Sequence, residues 1–330
     1  MKLNPLFCDK AVLQCDRPVH VFGTGSGRVS VTFLNETKTV ISAGETWCIM
    51  LSPHPAGGPY EMEINLDGQI VCLHDLMLGY VFLCAGQSNM QLKMDETSDQ
   101  FQYEDNSMLR LFTVPRPLLM DTAEYFPQSW VCCEADTGIC WSAIPYHFGQ
   151  MIQRTKNTAI GIISCCKGAS VIQSWMDEAL LHTSPFVIPD QDRHCDLKLF
   201  SAWNPDGYLY HSMFRTVAPY SMCCVIWYQG ESNTSPAEAA IYDKLLALLI
   251  SNWRRDLVDE TLPFILVQIH SYAHGAAGWK KLQDAQRKAA DAIPNVIFVQ
   301  NDDLGEPDRI HPVYKLPISR RIARAVRTLI

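Results

Sequence analysis

Two short segments far apart in the sequence hold the residue types of a nucleophile and its base: Gly86-Gln87-Ser88-Asn89-Met90 and Asp308-Arg309-Ile310-His311-Pro312. A serine hydroxyl reacts poorly at neutral pH until an imidazole takes its proton. The imidazole in turn works best when a carboxylate fixes its tautomer and stabilises the charged ring. Ser88, His311 and Asp308 are therefore the expected nucleophile, general base and orienting acid. Ser88 follows the run Val81-Phe82-Leu83-Cys84-Ala85, which reads as a buried parallel strand, and ligands of open α/β sheets gather at the carboxyl ends of such strands.

Two further strand ends carry glycine, amide and hydroxyl groups. Lys167-Gly168-Ala169-Ser170 follows the apolar run Ala159–Cys165, and Tyr228-Gln229-Gly230-Glu231-Ser232-Asn233 follows Cys223–Trp227. Acyl transfer passes through a tetrahedral intermediate whose oxyanion needs preorganised donors. The backbone N–H groups of Ser88 and Gly168 are expected to supply them, with a side-chain amide from Gln229 first and Asn233 second. Gln87, Asn89, Gly230 and Glu231 are expected to support the site or touch substrate. Glu231 has three open readings: a structural carboxylate, a brace for the Gln-Gly turn, or a competitor of Asp308 for His311.

The elements that must position these groups fall into two textures. Residues 1–75 show short alternating segments, such as Val29–Leu34 and Tyr60–Leu66, parted by turn signals at Gly23–Gly27 and Pro55–Pro59, and read as a small antiparallel β-module. Residues 76–330 alternate apolar runs with amphipathic stretches, the pattern of a parallel sheet covered by helices on both faces. The expected strands are Val81–Ala85, Ala159–Cys165, Cys223–Trp227, Phe264–Ile269 and Val296–Gln300. The expected helices are Tyr146–Thr155, Ala237–Arg255, Lys280–Ala292 and Leu316–Ile330. No internal repeat or low-complexity segment is present.

Composition narrows the function classes. The 330 residues are 48% hydrophobic, enough for a large core, and the formal charge of −8 with no Lys/Arg-rich stripe argues against a nucleic-acid partner. No run approaches 18 apolar residues and the first residues lack a secretory pattern, so no membrane partner and a cytoplasmic location are expected. The thirteen cysteines include the adjacent pairs Cys132-Cys133, Cys165-Cys166 and Cys223-Cys224 but no Cys-x-x-Cys. They read as buried reduced thiols, with no metal site. His270 and His274 share helical spacing but lack an evident third ligand.

Gly86–Met90, Trp227–Asn233 and Asp308-x-x-His311-Pro312 together resemble the sialate O-acetylesterase family, a branch of the SGNH hydrolases related to the acetylxylan esterases. The similarity spans nearly the whole chain. Ala11–Val19 is similar to the opening of bacterial members, and Trp141-Ser142-Ala143, Asn252-Trp253-Arg254 and Gln283–Gln286 add to it. The resemblance implies a three-layer αβα sandwich with a central parallel sheet, preceded by a small antiparallel β-domain. It also implies a serine esterase, without cofactor or metal, that releases acetate from small-molecule or oligosaccharide acetyl esters. O-acetylated sialic acid is the expected substrate; acetylxylan or another glycan is the alternative. A silent carbohydrate-binding relative and a short-chain lipase or thioesterase are the remaining readings. The chain departs from the family at Lys167-Gly168-Ala169-Ser170, where members often carry a tryptophan and two glycines, which bears on substrate preference. Met90, Trp175 and Trp227 are expected to wall the acyl side.

Overall fold

The computed structural model of the chain describes residues 1–99, 104–117, 128–134, 138–193 and 202–330. Its first seven strands are β1 (Lys2–Leu3), β2 (Val12–Gln14), β3 (Val19–Thr24), β4 (Gly27–Phe33), β5 (Glu36–Ser42), β6 (Thr46–Leu51) and β7 (Gly57–Leu66). β4 pairs antiparallel with β5 and β7, and β3 pairs antiparallel with β1 and β6. Alternating burial along β4 and β6 puts Val29, Val31, Trp47 and Ile49 inside, as a one-faced antiparallel sheet requires.

Strand β8 (Gln69–Gly86) joins this module to the rest of the molecule. Its first half pairs antiparallel with β7, and its second half is the centre of a parallel sheet. The border expected between residues 75 and 76 thus falls inside one continuous strand. The change of texture is real, because burial passes from alternating to nearly complete after Leu76. It marks a strand leaving a half-solvated sheet for one covered on both faces.

The remaining strands are β9 (Asn106–Thr113), β10 (Val131–Cys133), β11 (Ile160–Cys166), β12 (Cys224–Tyr228), β13 (Phe264–Val267) and β14 (Val296–Val299), in the order β10-β9-β11-β8-β12-β13-β14. All neighbours from β9 to β14 are parallel and β10 is an antiparallel edge. Four long helices cover the sheet: α1 (Ala143–Lys156), α2 (Pro236–Asp256), α3 (Trp279–Ala292) and α4 (Leu316–Val326). α1 packs on α4, and α2 on α3. Local sequence sets their ends: Ser235 caps α2 by accepting from the Glu238 N–H, with Pro236 in the first turn, and Asn157 closes α1 in the left-handed region.

Strand register decides where the chemistry sits. Gly86 is level with Cys166 on one side and with Tyr228 on the other, so the loops after β8, β11 and β12 leave the sheet at one height. Gly86 has a φ of +135°, and a Cβ there would collide with the Tyr228 carbonyl, so only glycine lets the chain turn into the Ser88 loop at this point.

Candidate active site

Ser88 opens a single helical turn, Ser88–Gln91, directly after β8. Its Oγ lies 2.8 Å from Nε2 of His311, which is brought in by the loop between β14 and α4. The hydroxyl is half-buried and the residues on either side of it, Gln87 and Asn89, are buried, so one polar atom is offered from a fixed base. His311 keeps accessible surface, yet the desolvation of its ring and then the Lys315 cation lower its pKa, with Glu96 acting the other way. A lowered value keeps the ring neutral at pH 7, the form able to accept the Ser88 proton.

Asp308 is not drawn onto His311. Its carboxylate is largely solvent-exposed and lies 3.8 Å from Nε2 of His274. That separation exceeds a hydrogen bond, and nothing buries the side chain in place.

The loop carrying His311 is gripped instead through its backbone. The buried His270 meets the Arg309 carbonyl through Nε2 at 2.7 Å, and the buried Asn89 donates from Nδ2 to the Ile310 carbonyl at 3.0 Å. Burial first of all depresses the His270 pKa, to about 4, so this ring is neutral and its Nε2–H donates to the Arg309 carbonyl.

The oxyanion side differs from the expected arrangement in two ways. Gln229 is fully buried, and its Nε2 already donates to Gln87 Oε1, the Ser170 carbonyl and Asn233 Oδ1 at 3.1, 2.9 and 2.8 Å. Asn233 is equally committed: Nδ2 donates to Gln173 Oε1 and Glu238 Oε1, and Oδ1 accepts from the Ile172 N–H. An amide nitrogen has two hydrogens, so neither side chain holds one in reserve for an oxyanion. Both tie the loops after β11 and β12 together, and the expectation of a side-chain donor from Gln229 or Asn233 is corrected accordingly. Gln87 belongs to the same brace, while Gly230 turns with a φ of +153°.

Gly168 does stand beside Ser88; a Cβ built on it would lie 3.5 Å from that of Ser88. Its N–H, however, donates to Oε1 of Gln91 at 2.7 Å. A side-chain carbonyl thus occupies the donor that a substrate carbonyl would need. Net hydrogen-bond strength of about 1 kcal/mol makes this contact a competitor worth roughly fivefold. Gln91→Ala is expected to raise kcat/KM for a small acetyl ester by about fivefold. A fall in steady-state assays would show that the Gln91 side chain assists the substrate instead.

Glu231 is buried, with Oε1 accepting from Asn89 Nδ2 at 2.6 Å and Oε2 buried without a hydrogen-bond partner. Burial raises its pKa, while the Asn89 bond and Lys315 oppose the rise. Trp175 and Trp227 do not wall a cleft. With Trp253 they form a buried aromatic cluster, ring centroids 5.4–6.4 Å apart, beneath the loops. Lys167, where the sequence departs from the family pattern, lies with its ammonium 3.7 Å from the centroid of the Trp203 ring. Gln91, His270 and Lys315 were not among the expected site residues; their links to it span long stretches of chain.

Known proteins resemble the chain in sequence and fold. Residues 194–318 match the family described as carbohydrate esterase, sialic acid-specific acetylesterase. The mouse sialate O-acetylesterase is 24% identical over 92% of this chain and 69% of its own length. Among solved structures, a carbohydrate acetylesterase from Xanthomonas citri superposes with a TM-score of 0.85 at 30% identity, covering 99% of this chain and 75% of that one. A protein from Arabidopsis thaliana shares the fold, with a TM-score of 0.52 at 19% identity over 75% of this chain and 97% of its own. On the strength of the Xanthomonas match in sequence and in structure, the chain belongs to the carbohydrate acetylesterases, and it is similar to the sialate O-acetylesterases among them.

Proposed function

We propose that the chain hydrolyses O-acetyl esters of sugars through an acetyl-enzyme on Ser88, and that O-acetylated sialic acid is its substrate, with acetylated xylan or another glycan as the alternative. The observation that carries this reading is the 2.8 Å contact between Ser88 Oγ and His311 Nε2. His311 takes the Ser88 proton as Oγ attacks the acetyl carbonyl, and the oxyanion forms against the N–H groups of Ser88 and of Gly168 once Gln91 has turned aside. His311 then protonates the departing sugar hydroxyl. In the second half a water, deprotonated by the same ring, releases acetate and restores Ser88. Asp308 is the proposed orienting carboxylate: it lies three residues before His311 on one loop, and its exposed side chain is free to turn from His274 to Nδ1 of His311.

The matched family supports acetyl transfer, and the site supports a small acyl group. Gln87, Asn89 and Met90, the residues flanking Ser88 in the chain, are buried, and Gly168 packs close to its Cβ, which supports a confined acyl site. Each added methylene is then expected to create strain rather than gain the roughly 0.8 kcal/mol of burial that an open apolar groove would return. kcat/KM is expected to fall at least about tenfold, or roughly 1.4 kcal/mol, from acetyl to butyryl esters. A flat or rising profile from acetyl through octanoyl would move the protein to the lipase or thioesterase reading. Release of acetate from O-acetylated sialic acid, assayed beside acetylated xylan, decides the sugar; no release from any acetyl ester would leave the silent-binder reading.

A further inference from the structure

The geometry points to Lys315 as a positioning residue for His311, acting through the Asn89 amide. This rests on the reading of Ser88 and His311 as nucleophile and base. Lys315 stands just before α4, buried, and its Nζ donates to Asn89 Oδ1 at 2.6 Å. On the far side of the same amide, Nδ2 donates to Glu231 Oε1 at 2.6 Å. An ammonium can only donate, so the side of the amide facing Lys315 must be Oδ1, and Nδ2 is turned toward the Glu231 carboxyl oxygen; Asn89 is left one orientation. In that orientation the second Nδ2 hydrogen is aimed at the Ile310 carbonyl, 3.0 Å away, next to His311 in the chain. A free asparagine can flip its amide end for end; this one is locked by an ammonium donor at its oxygen and a carboxyl acceptor at its nitrogen.

The cost of the device indicates a use. Burial drives the Lys315 pKa down to about 8 against the pull of Glu231, Glu306 and Asp99. A buried pair of this kind contributes little net stability compared with well-packed apolar residues, and its best-attested benefit is fixing one arrangement. What is fixed here is the backbone carbonyl preceding the base. Asp99 braces the same segment by accepting from the Lys315 and Leu316 N–H groups at 2.7 and 3.1 Å, with His147 3.3 Å behind it. The charge of Lys315 also reaches His311 and helps hold its pKa down; Glu96 and His270 face that ring as well, and Asp308 lies three residues before it on the same loop.

Two variants test this, assayed with p-nitrophenyl acetate across pH beside Ser88→Ala and His311→Gln. Lys315→Met removes the cation, and Lys315→Met/Glu231→Gln removes both charges, so that no carboxylate is left buried alone if the single variant folds poorly. In whichever variant shows wild-type circular dichroism, kcat is expected to fall about ten- to a hundredfold, the range for a sub-ångström to 1 Å displacement of a reacting group. KM should stay within about threefold. The acid limb of kcat/KM should move up in pH, because the neutral variant no longer disfavours the His311 imidazolium; a merely structural role would leave the limb where it was. Wild-type kcat or an unmoved limb in a folded variant overturns the positioning role. Retained activity in Ser88→Ala or His311→Gln overturns the underlying reading, a result separable from the first because those two variants do not alter Lys315.

Discussion

Ser88→Ala is expected to lower kcat for an acetyl ester by at least about three orders of magnitude while leaving the fold intact. The change removes one oxygen from a half-buried side chain at the start of a single helical turn, where its hydroxyl meets His311 Nε2. Little packing is lost, and Gly86, which forces the turn, is untouched. The methyl group cannot attack a carbonyl, so any residual rate must come from water held against the Ser88 and Gly168 N–H groups, and such residual catalysis is small beside the intact relay. The measurement is kcat for purified wild type and variant at one pH, with circular dichroism to establish folding. A variant that kept more than about a tenth of the wild-type rate would remove Ser88 from the nucleophile's place, since a nucleophile is not replaced at so small a cost.

The parts of this molecule that were legible in the sequence are those whose physics is local. β12 and β13 are uninterrupted apolar runs buried along their whole length, and a strand covered on both faces has to read that way; β11 and β14 are nearly so. β9 escaped notice because Arg110 breaks its apolar run, and only the fold shows that this guanidinium is buried against Asp75 at 2.9 Å. The continuity of β8 was hidden for a related reason: a strand that serves two sheets changes its burial pattern halfway, and a change of pattern looks like a border. At the site, the contact of Ser88 with His311 was legible because a hydroxyl directly after a buried strand and a late Asp-x-x-His run each have a recognisable local setting. Gln229 and Asn233 misled because a sequence shows that an amide exists but not whether its hydrogens are already spent. Gln91 and Lys315 could not be seen at all. The first meets Gly168 across 77 positions and the second meets Asn89 across 226, and neither spacing leaves a local trace.

Asp308→Asn is expected to cost about 10³- to 10⁴-fold in kcat, and Glu231→Gln about tenfold. The ranking follows from what each carboxylate can do for the imidazolium that forms when Ser88 attacks. Asp308 is on the His311 loop, exposed, and held toward His274 only across 3.8 Å, so turning to Nδ1 breaks no strong bond. Once there it fixes the tautomer that leaves Nε2 free to accept, whereas an asparagine in its place can present its N–H instead and set the wrong tautomer. Glu231 is buried at a different face of the site, bonded to Asn89, and reaches His311 only through that amide and the Ile310 carbonyl. Its glutamine keeps the volume and one acceptor, so the loop loosens while the ring chemistry survives. Measuring both variants at a single pH gives the order directly. If Glu231→Gln proved the more damaging, Asp308 would lose its role to the buried carboxylate, and the Asn89 link would become the route by which that charge stabilises His311.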